Sequence, residues 1–145
     1  MEQNTKHRRR VFICSPYRAV SKDPIRREAE MDENIDRVHN ACRMASALGL
    51  LPLAPHGYFT NFLNDRNPQE REEGMELGME WLAQSDEVWV VGTRVSEGMS
   101  REIAKATELG IPVRNVPEPS RMLADFIRGV KAGIAYKVSK EHKGE

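Results

Sequence analysis

The run Asp86-Glu87-Val88-Trp89-Val90-Val91-Gly92-Thr93-Arg94-Val95-Ser96-Glu97-Gly98-Met99-Ser100-Arg101-Glu102 decides the fold. Val88 to Val91 is a short apolar stretch rich in β-branched residues, with charges before it and Gly92 after it. That pattern marks a strand buried on both faces of a parallel sheet. A polar turn follows, then a helical pattern from Ser100 to Leu109 that Gly110 closes, and a new strand begins at Pro112-Val113. In open α/β sheets built from such units, ligands lie just beyond the carboxyl ends of the strands. On this reading Glu102 falls in the first turn of the helix, close to that rim. Ser96 and the backbone around Gly98 lie where free N–H groups and the positive end of a helix dipole would meet an anion.

Toward the N-terminus the same alternation recurs. Val11-Phe12-Ile13-Cys14 is a strand stopped by Ser15-Pro16-Tyr17-Arg18. Residues 19 to 29 are charged and interrupted by Pro24, which predicts a mobile loop. Asp32 to Leu48 reads as an amphipathic helix, with Ile35, Val38, Ala41, Cys42, Ala45 and Leu48 on one face and Gly49 as its stop. The next strand is Leu50 to Ala54, where Pro52 implies a sheet edge or a position near the strand's beginning, and Pro55-His56-Gly57 follows it. Phe59 to Asn67 is irregular or a single turn. Pro68 to Ala83 is helical, with Gly74 and Gly78 on one stripe with Arg71, which means either close backbone packing or room for a ligand. Asp86 reads as capping or terminating that helix.

Toward the C-terminus, Val113 to Val116 is a strand, Ser120 caps a helix running to Ala132, and Ala135 to Val138 is a last strand. The expected architecture is a Rossmann-like or flavodoxin-like doubly wound sheet of about five parallel strands with helices on both faces. A flexible basic segment over 1–9, a single domain over 10–139 and a charged tail over 140–145 complete the expected organisation.

The 145 residues carry 22 Lys+Arg and 22 Asp+Glu, a net charge of zero, which removes any global electrostatic argument for nucleic acid or an anionic membrane. The basic cluster Lys6 to Arg10 reads as a solvated lead-in to the first strand. Cys14 and Cys42 have no CxxC spacing and read as small core residues of a reducing compartment. With no signal-peptide pattern and no stretch long enough to span a bilayer, the sequence predicts a cytoplasmic protein. P-loop, HExxH, GxGxxG and GxSxG signatures are absent. Trp81 and Trp89 read as packing, and the methionines as filler.

The residues that carry chemistry compete with plainer readings. An acidic residue such as Glu102 is favoured in the first turn of any helix by the dipole. Ser96 alone is a loop serine, and His56 either orients a ligand or bonds a carbonyl. Tyr17-Arg18 is badly placed for a core. What raises all of them is their convergence: Tyr17, Arg18, His56, Ser96 and Glu102 map to carboxyl-end loops of a doubly wound sheet, or to the helix start that follows, and would face one crevice.

Taken together, Val11 to Arg18, Trp81 to Val90 and Ser96 to Glu102 resemble the nucleoside 2-deoxyribosyltransferase-like superfamily, over roughly Val11 to Val138. The resemblance is to its small proteins opening with "SPYR", and in site pattern to its 2'-deoxynucleoside 5'-monophosphate N-hydrolases. It implies cleavage of a base–sugar bond, with the glutamate matching Glu102 attacking C1' to give a covalent glycosyl-enzyme. Tyr17 is then the second catalytic group, holding the carboxylate or the sugar. Ser15, Arg18, His56, Ser96, Gly98 and Met99 are the implied substrate contacts. Serine at position 96 matches the monophosphate hydrolases, where transferases acting on free nucleosides tend to have aspartate, and Arg18 with the N–H groups near Gly98 would take the phosphate. The chain departs from the pattern at Gly78, where the hydrolases carry an aspartate thought to assist departure of the base. Such an acid is typically worth a factor of about 10²–10⁴. Glu76 and Glu80 point away from the Gly74/Gly78 stripe, and Asp65 is a further substitute. The alternatives are base exchange between deoxynucleosides and a binding protein that has lost the acid. No cofactor or metal is implied, the expected partner is a small nucleotide or nucleoside, and the resemblance implies a homodimer or larger assembly, with Ser120 to Ala132 as a contact.

Overall fold

In the computed structural model, the described residues are 7–129. Strand β1 (Arg10–Cys14), helix α1 (Pro24–Ala47), strand β2 (Leu51–Leu53), two short 3-10 turns (Pro55–Gly57 and Phe59–Asn61), helix α2 (Pro68–Ala83), strand β3 (Glu87–Val91), helix α3 (Glu97–Glu108), strand β4 (Val113–Val116) and helix α4 (Pro119–Ile127) follow in order. All strand pairs are parallel, in the order β2-β1-β3-β4. The doubly wound α/β reading holds, with four strands among the described residues against the five expected. The fifth expected strand, Ala135 to Val138, and the charged tail lie outside them.

Alternation along the central strands sorts side chains between the two faces. Val11 and Ile13 of β1 join Trp89 and Val91 of β3 under α1 and α4, where Ala41, Met44, Ala45 and Leu123 cover them. Phe12 and Cys14 join Val88 and Val90 on the opposite face, under Leu82 of α2 and Met99 and Ala106 of α3. β1 over Val11 to Cys14 and β3 over Val88 to Val91 are therefore apolar throughout, the pattern of strands covered on both sides. Pro52 sits on β2, an edge strand, where its missing N–H is tolerated. Gly49 and Gly110 follow their helices with φ of +79° and +71°, the left-handed conformation that ends a helix.

Several boundaries differ from the sequence reading, each for a local reason. Helix α1 starts at Pro24, not Asp32. Asp23 caps it through Ile25 N–H at 3.2 Å, with Pro24 as its first residue. The carboxylate of Glu30 accepts from Val20 N–H (2.7 Å) and Ser21 N–H (3.2 Å), tying residues taken for a mobile loop to the helix. Its first turns are exposed, so they carry no apolar period to read. Helix α3 starts at Glu97 rather than Ser100 because Ser96 is its cap. Strand β2 is shorter than Leu50 to Ala54, since Leu50 N–H is taken by Ala45 C=O (2.9 Å) at the end of α1. Helix α4 runs Pro119–Ile127, and Ser120 lies within it rather than capping it.

Asp86 does not terminate α2. Its carboxylate accepts from Arg10 N–H at 2.7 Å and its own N–H donates to Arg10 C=O at 2.9 Å, joining the entrances of β1 and β3. Next to it, Glu87 is fully buried, with Arg114 Nε 2.9 Å from one oxygen and Arg9 Nε 3.7 Å from the other. The basic lead-in is thus partly drawn into the fold: Arg9 faces a buried carboxylate, which needs a cation to remain charged there.

Candidate active site

Neighbouring strands β1 and β3 open a crevice at their carboxyl ends, the switch point of this strand order. Ser15 to Arg18 leave β1 there, His56 follows β2, and the loop after β3 runs into α3. Ser96 has extended backbone (φ −80°, ψ 171°), and its hydroxyl accepts from Met99 N–H at 3.2 Å. Its own N–H meets Met99 Sδ at 3.4 Å. Beginning at Glu97, the helix places Glu102 in its second turn, on the buried face with Met99 and Ala106. Glu97 occupies the acidic first-turn position, so the dipole that favours Glu97 leaves the burial of Glu102 unexplained.

Glu102 is 6% exposed. Among the described residues its side-chain partner is the thiol of Cys14, with Sγ 3.5 Å from Oε1. Burial pushes its carboxyl up to about 7, and the Cys14 hydrogen bond pulls the other way. The same burial, reinforced by the Glu102 charge, pushes the Cys14 thiol far up, so it stays S–H.

Glu102 forms part of the wall of a slot of about 50 Å³ together with His56, Asp65, Glu70, Arg71 and Gly78. The stripe noted in α2 faces this slot: Arg71, Gly74 and Gly78 all line it. A Cβ at Gly78 would lie 3.6 Å from Pro55 Cβ, an ordinary contact, so the helix is not pressed against a backbone here. Asp65, Thr60 and Leu63 also line a crevice of about 620 Å³ that reaches Tyr17 and Arg18. Asp65, Arg71 and Met75 line another of about 390 Å³ that reaches Gly98, Arg66 and Arg101.

The expected site residues therefore separate into groups. Glu102 and His56 line the slot, Tyr17 and Arg18 one outer crevice, and Gly98 with Arg18 the other. Ser15, Ser96 and Met99 line none of these hollows. Ser15 is 1% exposed with its hydroxyl unpartnered. Met99 is 1% exposed in the core, and Ser96 is occupied as the cap. The Tyr17 ring lies 5.3 Å from the His56 ring, and Asn34 donates to the Tyr17 carbonyl at 3.1 Å. Burial lowers the His56 pKa, partly offset by its bond to the Ser15 backbone and by Asp65, so the imidazole is neutral and its Nδ1 has no partner. Arg18 donates to Asp65 Oδ2 at 2.5 Å and to the Asp65 carbonyl at 2.7 Å. Trp89 is fully buried, while Trp81 stacks on Tyr58 (5.5 Å) and packs on Phe59 (4.4 Å), so both tryptophans serve packing.

Sequence reasoning passed over Cys14, Glu70 and the slot-facing role of Arg71. The stripe spacing of Arg71 was the visible signal for it, whereas the contact between Cys14 and Glu102 joins residues far apart in the chain. Among the described residues, no three His, Cys, Asp or Glu side chains group as metal ligands, and no helix is long and apolar enough to cross a membrane.

The structure is similar to that of a 2-deoxyribosyltransferase from the psychrotolerant bacterium Bacillus psychrosaccharolyticus, with a TM-score of 0.55 and 17% identity over 73% of this chain and 70% of that one. At that identity the likeness establishes the Rossmann-like fold. No curated protein matches the chain. The family described as Domain of unknown function (DUF7768) matches residues 9–116, from the lead-in of β1 to the end of β4. That span holds the whole described sheet and every residue assigned to the site, and the chain belongs to this family.

Proposed function

We propose that the protein is a glycosidase that hydrolyses the base–sugar bond of a nucleoside 5'-monophosphate, most simply a 2'-deoxynucleotide. The observation that carries this reading is Glu102: a buried carboxylate with no cationic partner among the described residues, on the wall of a slot at the carboxyl edge of the sheet. Burying such a group without a cation is costly, and carboxyls perturbed in this way cluster at functional sites. As carboxylate, one oxygen of Glu102 attacks C1', and the electron pair of the breaking C1'–N bond leaves with the base, which takes up a proton. Water then adds at C1', the ester to Glu102 breaks, and the carboxylate is restored.

Neutral His56, with Nδ1 open as an acceptor, offers a contact for a donor group on the base. Tyr17 stands beside it on the route inward. Gly98 and the arginines around the outer crevice, Arg66, Arg71 and Arg101, are the groups suited to a phosphate, with Arg18 shared with Asp65. The slot has room for only a water or two, so a sugar reaches Glu102 when the side chains at its rim part.

Base exchange is the second reading, supported by the similarity to a 2-deoxyribosyltransferase. A binding role is the third, supported by Gly78, which leaves the base without an acid on that stripe. The molecule is expected to act in the cytoplasm on a small nucleotide or nucleoside, as a homodimer or larger. Incubation with a panel of ribo- and deoxynucleoside 5'-monophosphates, beside Glu102→Gln, is the deciding experiment. Free base detected by chromatography and lost in the variant is the expected result. Transfer outrunning hydrolysis when a second base is added would select exchange, and nucleotide-dependent thermal stabilisation with no free base would select binding.

A further inference from the structure

We propose that the Cys14 thiol is a positioning residue that donates to Glu102 Oε1 and holds the carboxylate in place, leaving its other oxygen as the nucleophile. The proposal rests on the glycosidase reading for its chemistry, but the contact stands on geometry. Cys14 is the last residue of β1 and is fully buried. Its Sγ lies 3.5 Å from Glu102 Oε1 and 3.8 Å from the Met99 carbonyl, both on α3. One thiol proton faces two acceptors, so it serves the carboxylate when Glu102 is ionised and the carbonyl when Glu102 is protonated. That exchange keeps the donor satisfied in both states.

The choice of thiol follows from its surroundings. Cys14 packs among Phe12, Leu82, Val88, Val90, Met99 and Ala106, where a small apolar group with a weak donor is accommodated. An arginine or lysine at this position would hold the carboxylate well below its present pKa and blunt it as a nucleophile. A thiol fixes its direction while leaving most of its basicity. Its own burial keeps it protonated. The titratable and charged groups facing Glu102 are Cys14 from β1, His56 from the turn after β2, Asp65 from the loop before α2, and Glu70 and Arg71 from α2.

The test is a titration of the Glu102 carboxyl by 13C NMR in the substrate-free full chain, with pH profiles of kcat and KM on the nucleotide that the wild type cleaves. Cys14→Ala is expected to raise the Glu102 pKa by about half a unit and lower kcat near pH 7 about fivefold with KM unchanged. Cys14→Ser, a stronger donor, is expected to move the titration downward and keep kcat within about twofold of wild type. An unchanged Glu102 titration in Cys14→Ala overturns the proposal, as does equal loss of kcat in both variants with the titration unmoved. If Cys14→Ala does not fold, Cys14→Ser decides alone, since an unmoved titration there overturns it too. Full activity in Glu102→Gln would instead overturn the glycosidase reading, and the titration would still report on the thiol contact.

Discussion

Arg18 grips Asp65 twice, with Nε 2.5 Å from Oδ2 and Nη2 2.7 Å from the backbone carbonyl. The aspartate weighed as a substitute for the missing acid is thereby held by a cation, and the arginine expected to meet a phosphate is already engaged. The pair is partly exposed, with side-chain accessibilities of 49% and 28%, so its net stabilisation is small, below about 1 kcal/mol. A phosphate can therefore compete for Arg18. Asp65→Asn is expected to tighten binding of a nucleoside monophosphate a few-fold while leaving the nucleoside unaffected, as read by calorimetry. Arg18→Ala is expected to weaken the monophosphate selectively.

The cap of α3 gives a second prediction. Ser96→Ala removes the acceptor of Met99 N–H and is expected to cost about 1 kcal/mol of stability, measured by denaturant unfolding. Ser96→Asp retains a capping oxygen and adds a negative charge two residues from Gly98, which lines the phosphate-side crevice, so stability is kept while preference is expected to shift from monophosphates toward free nucleosides. Equal preference in both proteins would remove Ser96 from the phosphate side of the site.

The raised carboxyl of Glu102 ties stability and activity to pH in opposite senses. Its pKa is about 7 in the folded chain against 4.5 for an unperturbed glutamate, so between those values the folded state holds the extra proton. Stability is thus lost as pH rises through that window, by on the order of 3 kcal/mol in total. Glu102→Gln is expected to raise the melting temperature at pH 8 and to change it little at pH 4. Activity follows the ionised form and should rise with pH through about 7, giving an acid limb there.

At Gly78 the structure has space. A methyl there meets Pro55 at ordinary contact distance, so Gly78→Ala is expected to stabilise α2 by up to about 1 kcal/mol. Gly78→Asp places a carboxyl on the slot wall as a proton donor and is expected to raise base release on the acid limb, where part of that group is protonated while part of Glu102 is still ionised. Its failure to do so in a folded variant would show that departure of the base does not limit the rate.

What the sequence made legible follows from where the free energy lies. Val11 to Cys14 and Val88 to Val91 are buried on both faces, so their composition alone identifies them. Helix starts at Pro24 and Glu97 were missed although their caps, Asp23 and Ser96, were in plain view. The first turn of α1 is solvated and carries no apolar period, Asp23 fell within the stretch read as a loop, and Ser96 had been read as part of an anion cradle. Glu102 was singled out as a candidate nucleophile with the first-turn dipole as its plain alternative; only the true helix start, which puts it in the second turn, shows that its burial has a different origin. The Arg18–Asp65 grip and the Cys14–Glu102 contact join distant segments, and nothing in local pattern encodes such pairs.

The clasp of Glu87 between Arg9 and Arg114 has a consequence for how this scaffold changes over evolutionary time. It sits at the amino-terminal edge of the sheet, where β1, β3 and β4 enter, while Glu102 and the crevices occupy the opposite edge. Substitutions that retask the rim leave the clasp intact, and those that damage the clasp need not touch the chemistry. A mutant library confined to the loops after β1, β2 and β3 should accordingly yield mostly folded proteins, making the rim a place where new specificities are sampled without first losing the fold.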